Sequence, residues 1–435
     1  MAIGKEGNVK WVDGLRGMAS TLVVLTHIAR AFDGDLFIPT SQENAAPRLL
    51  QLPFLRILVQ GRIGVTIFAM VTGYVCALKP IRLCKQGNQE AAFASIGKSA
   101  LRRVPRLVLP AAIATTIIWF LTQFGVFLVA KRCDSWWAGA TSPDATPYLG
   151  RAIMSLVNNI VSTWTRGKND YDGNQWTLLP LLKGSIWVYV FMVGTGHVQQ
   201  KYRMLASFGM WLYFFIGSDS AFGMQFFWGV LLADLQNHDA ANAFLNERRR
   251  LCRILSFVLL FFGLAIASYP EDRAEWMAWS RLEHAFLVPI LPEDPDFPRF
   301  ASGIGLELIA LGLHFSPWLR DLLSNRYFLW LGKQSFAVYL LHGPLLRWIL
   351  VWVLYGVSLP ADVKNDKDEW VPGPALPFPG RARYVISLMV WIPLNYGIAV
   401  LWTTYVDPWC ARMTERLVNH VVLKKNEKGQ QMLPN

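Results

Sequence analysis

The sequence predicts an all-α integral membrane protein, a bundle of about ten transmembrane helices. Of its 435 residues, 53% are hydrophobic and only 17% are charged, whereas soluble proteins average about 25% charged residues. The 19 Trp and 26 Phe residues fit the same class, because aromatic rings gather at the membrane–water interface. This composition excludes a disordered chain or a coiled coil, and it argues against a pair of soluble domains.

Ten segments are predicted to span the membrane, since each approaches the length of about 20 mostly apolar residues that a span needs. They lie near 15–32, 62–79, 107–130, 177–194, 203–217, 220–235, 251–268, 301–316, 327–351 and 384–407. Segment 327–351 is predicted as one helix, or as two helices broken at Gly343–Pro344. Residues 1–435 are expected to form a single domain that ends in a cytosolic tail, 408–435.

The charge distribution predicts the topology. Loops that would share a side with both termini hold 23 Lys and Arg against 8 Asp and Glu, whereas the opposite loops hold 15 against 19. Cytoplasmic loops are enriched in Lys and Arg, so both termini are predicted to be cytosolic. The basic residues cluster between apolar segments, so the net charge of +12 indicates membrane orientation and no nucleic-acid partner. The loops are too short for a catalytic domain, so chemistry is expected inside the bundle or at its mouths.

The first predicted span carries Arg16 and His27, with ten residues between them. At 100° per residue they share one helix face and lie about 16 Å apart along the axis. An ionisable group inside a span is costly unless it lines a cavity or has a partner, and it is therefore a functional hypothesis. The structural alternatives are a histidine bonded to a carbonyl and an arginine that reaches the interface.

A second basic cluster opens the third span, where Arg103 and Arg106 share a face if the segment is helical. Guanidinium groups bind phosphate oxygens in pairs, so this position suits a phosphate-bearing ligand. The alternative is ordinary positive charge on the cytosolic side. The five cysteines have neither CxxC spacing nor a histidine at zinc-ligand spacing, so neither a disulfide framework nor a metal site is predicted.

Three short motifs lie in order along the chain. Asp13–Gly17 is followed by His27, which gives an arginine, ten residues and a histidine. An Arg-x-x-Arg motif occupies Arg103–Arg106. The segment Leu331–Gly343 fits the pattern LGKxSFxxYLxHG. Together these motifs resemble the acyltransferase-3 family of multi-pass membrane O-acyltransferases, particularly its fungal branch.

The resemblance implies transfer of an acyl group, often acetyl, from an acyl-CoA donor to a hydroxyl. His27 would be the general base, because histidine suits proton abstraction near neutral pH. Arg16 would bind an oxygen of the donor or set the environment of the histidine. Arg103 and Arg106 would hold CoA phosphates at the cytosolic mouth. The co-substrate expected is acyl-CoA (acetyl-CoA), with no metal.

One position departs from the family's pattern. The segment from Trp176 to Ser185 aligns with a family stretch that has an acidic residue where this chain has Leu181. Either His27 works alone, or another acid such as Asp234 or Glu307 substitutes, or acyl transfer has been lost. The residues predicted to bind substrate are Trp176, Glu307, Ser335, Tyr339 and His342. For several of them packing is the alternative.

The function expected is a membrane-embedded O-acyltransferase that acts on a hydroxyl of a lipophilic small molecule, a fungal secondary metabolite. A sugar or glycolipid acceptor stays open, and an internal membrane such as the endoplasmic reticulum is the expected location. Two alternatives come from other classes. One is an isomerisation or cyclisation run on the same fold, and the other is a non-catalytic transporter or scaffold.

Overall fold

The computed structural model describes residues 9–422, which are mainly helical. The helices are Lys10–Phe32 (α1), Arg62–Lys85 (α2), Gln89–Gln123 (α3), Leu128–Arg132 (α4), Trp136–Thr141 (α5), Leu149–Thr165 (α6), Leu178–Gly194 (α7), Gln200–Ile216 (α8), Gly223–Gln236 (α9), Asp239–Glu247 (α10), Arg249–Ala267 (α11), Ala278–Leu287 (α12), Phe297–Phe315 (α13), Pro317–Leu323 (α14), Arg326–Leu345 (α15), Val351–Tyr355 (α16) and Arg381–Val421 (α17). Short 3₁₀ turns occupy Gly34–Phe37, Leu49–Gln51, Leu55–Leu58, Gly173–Thr177 and Ala274–Trp276. Val363–Lys364 (β1) and Trp370–Val371 (β2) form an antiparallel hairpin.

All ten predicted segments are mainly helical, although 107–130 is interrupted between Gln123 and Leu128, and ten spans are not confirmed. Six helical segments of the described chain are long and apolar enough to cross a membrane, and the sharply bent pair α13–α14, at 106°, makes a possible seventh. The shortfall has physical causes. The helices α8 and α9 have 17 and 14 residues, which is short for a bilayer about 30 Å thick, and α1 carries charged residues at both ends.

The helix that contains Gly343 and Pro344 is not broken there. The helix α15 runs to Leu345 and passes through a π-helical turn, Leu346–Leu350, into α16. Proline lacks an amide hydrogen, and the hydrogen-bond register is displaced just after it, which is a common cause of a π-turn. The last helix also runs further than predicted, to Val421, while residues 423–435 of the predicted tail lie outside the described chain.

Glycines bring α1 and α15 into close contact. A β-carbon at Gly17 would overlap the backbone amide of Gly332, and one at Gly332 would overlap the carbonyl of Asp13. Small residues let helix backbones approach in membranes. The first and third motifs therefore pack against each other, and Arg16 Nη2 donates to the Gly332 carbonyl at 3.1 Å.

The core has two main parts that meet along α1. One joins α1 to α2, α9 and α13, and the other joins it to α3, α15 and α17. The fully buried Trp391 of α17 donates its indole N–H to the Leu345 carbonyl at 3.0 Å. The two parts of the core together place α1, which carries Arg16 and His27, between α2 and α15.

The predicted extracytosolic loop 131–176 is structured. Its helix α6 exposes an apolar face of Leu149, Ile153, Met154, Val157 and Val161, which is typical of a helix that lies in the membrane interface. Trp119 of α3 fixes this helix by donating to its Ala152 carbonyl at 2.8 Å. The loop then returns to the bundle at the 3₁₀ turn that precedes α7.

Candidate active site

Two histidines meet between α1 and α15. His27 Nδ1 and His342 Nε2 are 3.1 Å apart, and the ring centroids are 4.9 Å apart. His342 is fully buried, and the Trp137 ring lies 5.4 Å from the His27 ring on another side. The close contact of Gly17 with Gly332 lies near the N-terminal end of α1. It sets the register between α1 and α15 that brings the two rings together near the other end of α1.

The hydrogen-bond network assigns the protons of this pair. His342 Nδ1 lies 3.0 Å from the Val338 carbonyl and 2.9 Å from that of Tyr339. Carbonyl oxygens only accept hydrogen bonds, so this nitrogen carries the hydrogen and a neutral His342 accepts at Nε2. The facing His27 Nδ1 must then be the donor, which agrees with its 3.0 Å distance from the Val23 carbonyl. The lone pair of neutral His27 is therefore on Nε2.

His27 lines a cavity of about 310 Å³, here called the histidine cavity. Its lining mixes apolar side chains with Arg30, Arg62, Arg299 and Glu271, and it includes the predicted residue Trp176. The position at the C-terminal end of α1 and the start of α2 puts this cavity on the predicted extracytosolic side.

Ion pairs order the histidine cavity. Arg30 donates to both carboxylate oxygens of Glu271, at 2.8 and 3.3 Å, and Arg62 Nη2 lies 2.9 Å from the same carboxylate. Arg62 Nη1 is buried without a partner. The Glu271 carboxylate thus pairs with both arginines, and Arg62 Nη1 remains as a donor for an oxygen of a bound molecule.

A second cavity, of about 340 Å³ and here called the central cavity, lies on the other side of the turn before α7. Thr177 and Tyr339 line it, while the neighbouring Trp176 lines the histidine cavity. The Thr177 and Tyr339 hydroxyl oxygens are 2.6 Å apart, and Tyr339 donates to the Asn174 carbonyl. Since the Tyr339 proton is engaged there, Thr177 is the donor to Tyr339. Both residues of this link line the central cavity, and the Tyr339 ring lies 6.2 Å from that of His342.

The central cavity also holds cationic side chains whose donors are not all used. Arg16, Arg103, Arg106 and Lys333 line it. Within the part of the chain that the structure describes, the Nε atoms of Arg16 and Arg103 are buried without a hydrogen-bond partner. Arg16 lies 3.6 Å from Asp13, whereas Arg103 has the Thr72 hydroxyl at 3.3 Å. Unsatisfied buried guanidinium nitrogens are costly, so they favour an anionic or carbonyl oxygen at this position.

A third cavity, of about 280 Å³ and here called the cationic cavity, adjoins the central one through the shared lining of Arg103 and Arg106. It adds Lys79 and Arg102, and no described residue of its lining is acidic. Glu415 of α17 pairs with Arg102 at 2.7 Å and with Arg106 at 3.2 Å from outside the lining. The positive charge in this cavity suits a ligand with several phosphate oxygens.

The predicted site residues thus fall into groups. His27 and His342 meet, Trp176 lines the histidine cavity, and Ser335 and Tyr339 line the central cavity. Arg16, Arg103 and Arg106 all line the central cavity, so Arg16 lies with the two arginines predicted to bind the donor and not in the cavity of His27, with which it was predicted to act.

Two acidic residues considered as substitutes for the missing family carboxylate lie elsewhere. Glu307 accepts from Trp211 at 2.8 Å and from Gln225 at 3.0 Å, and it is absent from the lining of the three cavities. Asp234 forms a fully buried ion pair with Arg203 at 2.6 Å. Both are engaged in structural bonds, and the described contacts of His27 include neither residue.

The position of Leu181 explains what the missing carboxylate would touch. Leu181 lines the central cavity with Arg16 and Arg103, not the histidine cavity. A carboxylate there would face arginines. Its replacement leaves the partners of His27 in place and makes the central cavity more positive.

Several residues of the site were missed by sequence reasoning. Arg30 lies three residues after His27 on the same helix, a spacing that places both on one face. Arg62 and Glu271 gave no such signal, because they are distant in sequence from each other and from His27. Arg347 was also missed. It is fully buried, lies 3.6 Å from Asp172 and donates to the Tyr171 carbonyl at 3.0 Å, so it fastens the turn before α7 to the helix of His342.

Comparisons with known proteins identify the family. The model of the acyltransferase-3 family, described as an acyltransferase domain, matches residues 9–407. The chain is 26% identical to the O-acetyltransferase PaAT-1 of Phomopsis amygdali, over 78% of this chain and 72% of that one. It is 23% identical to acyltransferase R4 of a Phoma species and 22% identical to acyltransferase clz18 of Cochliobolus lunatus, over 76% of this chain and 81% of each relative. No solved structure matches it. The chain is a multi-pass membrane protein that belongs to the acyltransferase-3 family, and it is an acyltransferase.

Proposed function

We propose that the protein transfers an acetyl group from acetyl-CoA to a hydroxyl of a small molecule, with His27 as the general base. The observation that carries this proposal is the His27–His342 contact, because it puts the hydrogen of His27 on Nδ1 and leaves Nε2 as the base. His342 is then a positioning residue that fixes the tautomer and orientation of His27. The Phomopsis relative is named an O-acetyltransferase, which supports acetyl as the transferred group.

The reaction needs one proton acceptor and a defined path for electrons. The hydroxyl proton passes to His27 Nε2 while the hydroxyl oxygen attacks the thioester carbonyl, and the carbonyl oxygen takes up the electron pair. When that pair returns, the carbon–sulfur bond breaks and CoA leaves as a thiolate. The proton held by His27 then goes to the thiolate, so the ester, the free thiol and neutral His27 are the products.

The donor would enter from the predicted cytosolic side. Lys79, Arg102, Arg103 and Arg106 would bind its phosphate groups in the cationic cavity. The thioester arm would extend through the adjoining central cavity past Ser335 and Tyr339. Arg16 has an unpartnered Nε in that cavity, which suits an oxygen of the donor. We also propose that both termini lie in the cytosol and that the protein resides in an internal membrane such as the endoplasmic reticulum.

The acceptor would occupy the histidine cavity with its hydroxyl at His27. A hydroxylated secondary metabolite of a fungus fits the fungal sources of the relatives. The paired arginines and Glu271 make part of the lining polar. They favour an acceptor that carries other oxygen groups beside the reactive hydroxyl over a wholly apolar one, because buried polar groups need partners.

A non-acyl reaction on the same fold is the second candidate, and Leu181 is the observation that favours it. The family's carboxylate is missing here, so a reaction that uses His27 for proton transfer alone remains open. An isomerisation or cyclisation would need His27 but not the donor cavities. This difference is the basis of the test.

The test uses membranes that contain either the wild-type protein or His27→Ala at equal expression. They are incubated with labelled acetyl-CoA and a hydroxylated metabolite extract, and products are identified by mass spectrometry. A labelled ester formed by the wild type and absent with His27→Ala is the expected result. Conversion of a metabolite by the wild type without label and without donor would overturn acetyl transfer and support the second candidate.

A further inference from the structure

The three cavities of the candidate site follow one stripe of α2. Val65 lines the histidine cavity, Phe68 and Thr72 line the central cavity, Val75 lines both the central and the cationic cavity, and Lys79 lines the cationic cavity. These positions are three and four residues apart, so they lie on one helix face. At 1.5 Å per residue the stripe is about 21 Å long. The acceptor cavity and the donor cavities thus lie end to end along α2.

Phe68 lies where the histidine cavity ends and the central cavity begins. It is three residues after Val65, about 4.5 Å further along the helix axis. The described linings of these two cavities have no residue in common. Phe68 is partly buried and packs against both main parts of the core. Its side chain is therefore at the boundary between the space for the acceptor and the space for the arm of the donor.

Neighbouring groups hold the Phe68 ring in place. The ring lies 6.0 Å from the Tyr339 ring at an interplanar angle of 69°, which is a favourable edge-to-face contact. The Tyr339 hydroxyl is bonded in turn to Thr177 and to the Asn174 carbonyl. Tyr339 cannot turn away without the loss of these hydrogen bonds, so the Phe68 ring packs against a fixed wall.

The same contacts lead from Phe68 to the proposed base. The Tyr339 ring lies 6.2 Å from the His342 ring, which lies 4.9 Å from the His27 ring. For transfer, the thioester carbonyl must come within about 3–3.5 Å of the acceptor hydroxyl. A donor whose arm passes Tyr339 therefore brings its acyl group to the level of Phe68. Acetyl has only a methyl group beyond the carbonyl, whereas every longer chain must find room beside this ring.

We propose that Phe68 determines the acyl specificity of the enzyme, because its ring fills the space that an acyl chain longer than acetyl would need. This inference rests on the acyl transfer proposed above and uses the same step: the acyl carbon exchanges its bond to sulfur for one to the acceptor oxygen, and the hydroxyl proton passes through His27 to the thiolate. One additional methylene in a close-fitting pocket changes kcat/KM about 10-fold to 200-fold, so a rigid ring here is a sharp filter.

The experiment is a competition between donors. Membranes that contain the full-length protein are incubated with the hydroxylated metabolite extract and an equimolar mixture of acetyl-, butyryl- and hexanoyl-CoA, and the esters are quantified by mass spectrometry. The ratio of esters gives the ratio of kcat/KM values and does not depend on the expression level. The wild type is expected to form the acetyl ester in at least about tenfold excess over the butyryl ester. Phe68→Ala should lower this ratio by about tenfold or more, and Phe68→Leu should give an intermediate ratio.

Phe191→Ala is the matched control. Phe191 is a partly buried phenylalanine of α7 that packs against the first part of the core and is absent from the linings of the three cavities. Its loss removes a ring of the same size, so the wild-type ratio is expected to persist.

Two results would overturn the role of Phe68. One is a wild type that forms acetyl and butyryl esters equally, and the other is an unchanged ratio in Phe68→Leu and in Phe68→Ala. If Phe68→Ala does not fold, the wild type and Phe68→Leu decide the matter. A wild type that forms no ester from any of the three donors would instead overturn the proposed acyl transfer, and the inference with it, so the two failures are distinguishable.

Discussion

The histidine cavity and the cationic cavity, at opposite ends of the candidate site, treat charge differently. In the first, Glu271 pairs with both Arg30 and Arg62. In the second, the described lining holds four cationic side chains and no acidic residue, and Glu415 pairs from outside the lining with only two of them, Arg102 and Arg106. Paired arginines shape a polar pocket, whereas arginines with free donors attract an anion. The same chain thus provides a polar cavity beside a histidine, which suits a neutral acceptor, and a separate cationic cavity, which suits a phosphate-bearing donor.

The largest effect is expected when the base is removed from the histidine cavity. His27→Ala is expected to lower kcat about a hundredfold to ten-thousandfold, the usual contribution of general acid–base catalysis. Donor binding should be unchanged, because His27 lines the histidine cavity and not the cationic one. Steady-state rates and equilibrium binding of acetyl-CoA check this. A variant that keeps a tenth or more of the wild-type kcat would contradict the role of His27.

The His27–His342 contact gives a second test on the same side. His342→Phe removes the nitrogen that accepts from His27 Nδ1 but retains a ring of similar size. A fall in kcat of about tenfold to a hundredfold is expected, as for other orienting partners of a functional histidine. The KM for donor should stay the same.

His342→Gln provides the control, because its side chain offers an acceptor oxygen. Partial recovery of kcat relative to His342→Phe would support an orienting bond. Equal loss in the two variants, with equal melting temperatures, would show that His342 acts through packing alone.

Removal of a charge from the cationic cavity should have a different signature. Arg103 has no carboxylate partner and its Nε is buried without a bond, so Arg103→Gln is expected to raise the KM for acetyl-CoA about tenfold to a hundredfold. That range corresponds to one or two charge-assisted hydrogen bonds. The kcat at saturating donor should change little, and the KM of the wild type should rise with salt.

Arg412→Gln is the matched control, because Arg412 is an exposed arginine of α17 that is absent from the cavity linings. A similar rise in KM for both variants would mean that the overall charge of this surface, and not the cavity, binds the donor.

The smallest effect is expected at Leu181. In Leu181→Glu, a carboxylate would enter the central cavity beside Arg16 and Arg103. It would compete with the donor for their free nitrogens, so the KM for acetyl-CoA should rise about threefold to tenfold. Leu181→Gln, which has nearly the same shape without the charge, should differ less from the wild type. A Leu181→Glu enzyme faster than the wild type would show that the family's carboxylate aids the reaction.

The sequence predicted the positions of the helices well. It gave information on the contacts between them only through motifs. The ten apolar segments are mainly helical, because a period of apolar residues is a local property. The contact of His27 with His342 needs Gly17 and Gly332 to approach across more than 300 residues, which a pattern along one helix cannot reveal. The three motifs supplied both histidines, but as separate roles rather than as a bonded pair.

Other parts of the site depended on tertiary structure. Glu271 follows α11 and Arg62 begins α2, so neither their ion pair nor their place beside His27 has a local signature. Glu307 and Asp234 were considered as acids for the site because they lie in apolar segments. In the structure Trp211 and Gln225 donate to Glu307, and Arg203 donates to Asp234. Whether a buried charge is functional or structural depends on its partner, and the partner comes from another helix.

The most direct measurement compares donor binding with transfer in His27→Ala and Arg103→Gln. Equilibrium binding of acetyl-CoA and formation of labelled ester at saturating donor are measured on both purified full-length variants. The account predicts that His27→Ala binds the donor as the wild type does and forms little or no ester. It predicts that Arg103→Gln binds weakly and forms ester at the wild-type rate once saturated. Three results would contradict the assignment of catalysis to the histidine cavity and of donor binding to the cationic cavity. They are an equal loss of donor binding in both variants, an equal loss of ester formation at saturating donor, and product formation by the wild type without donor.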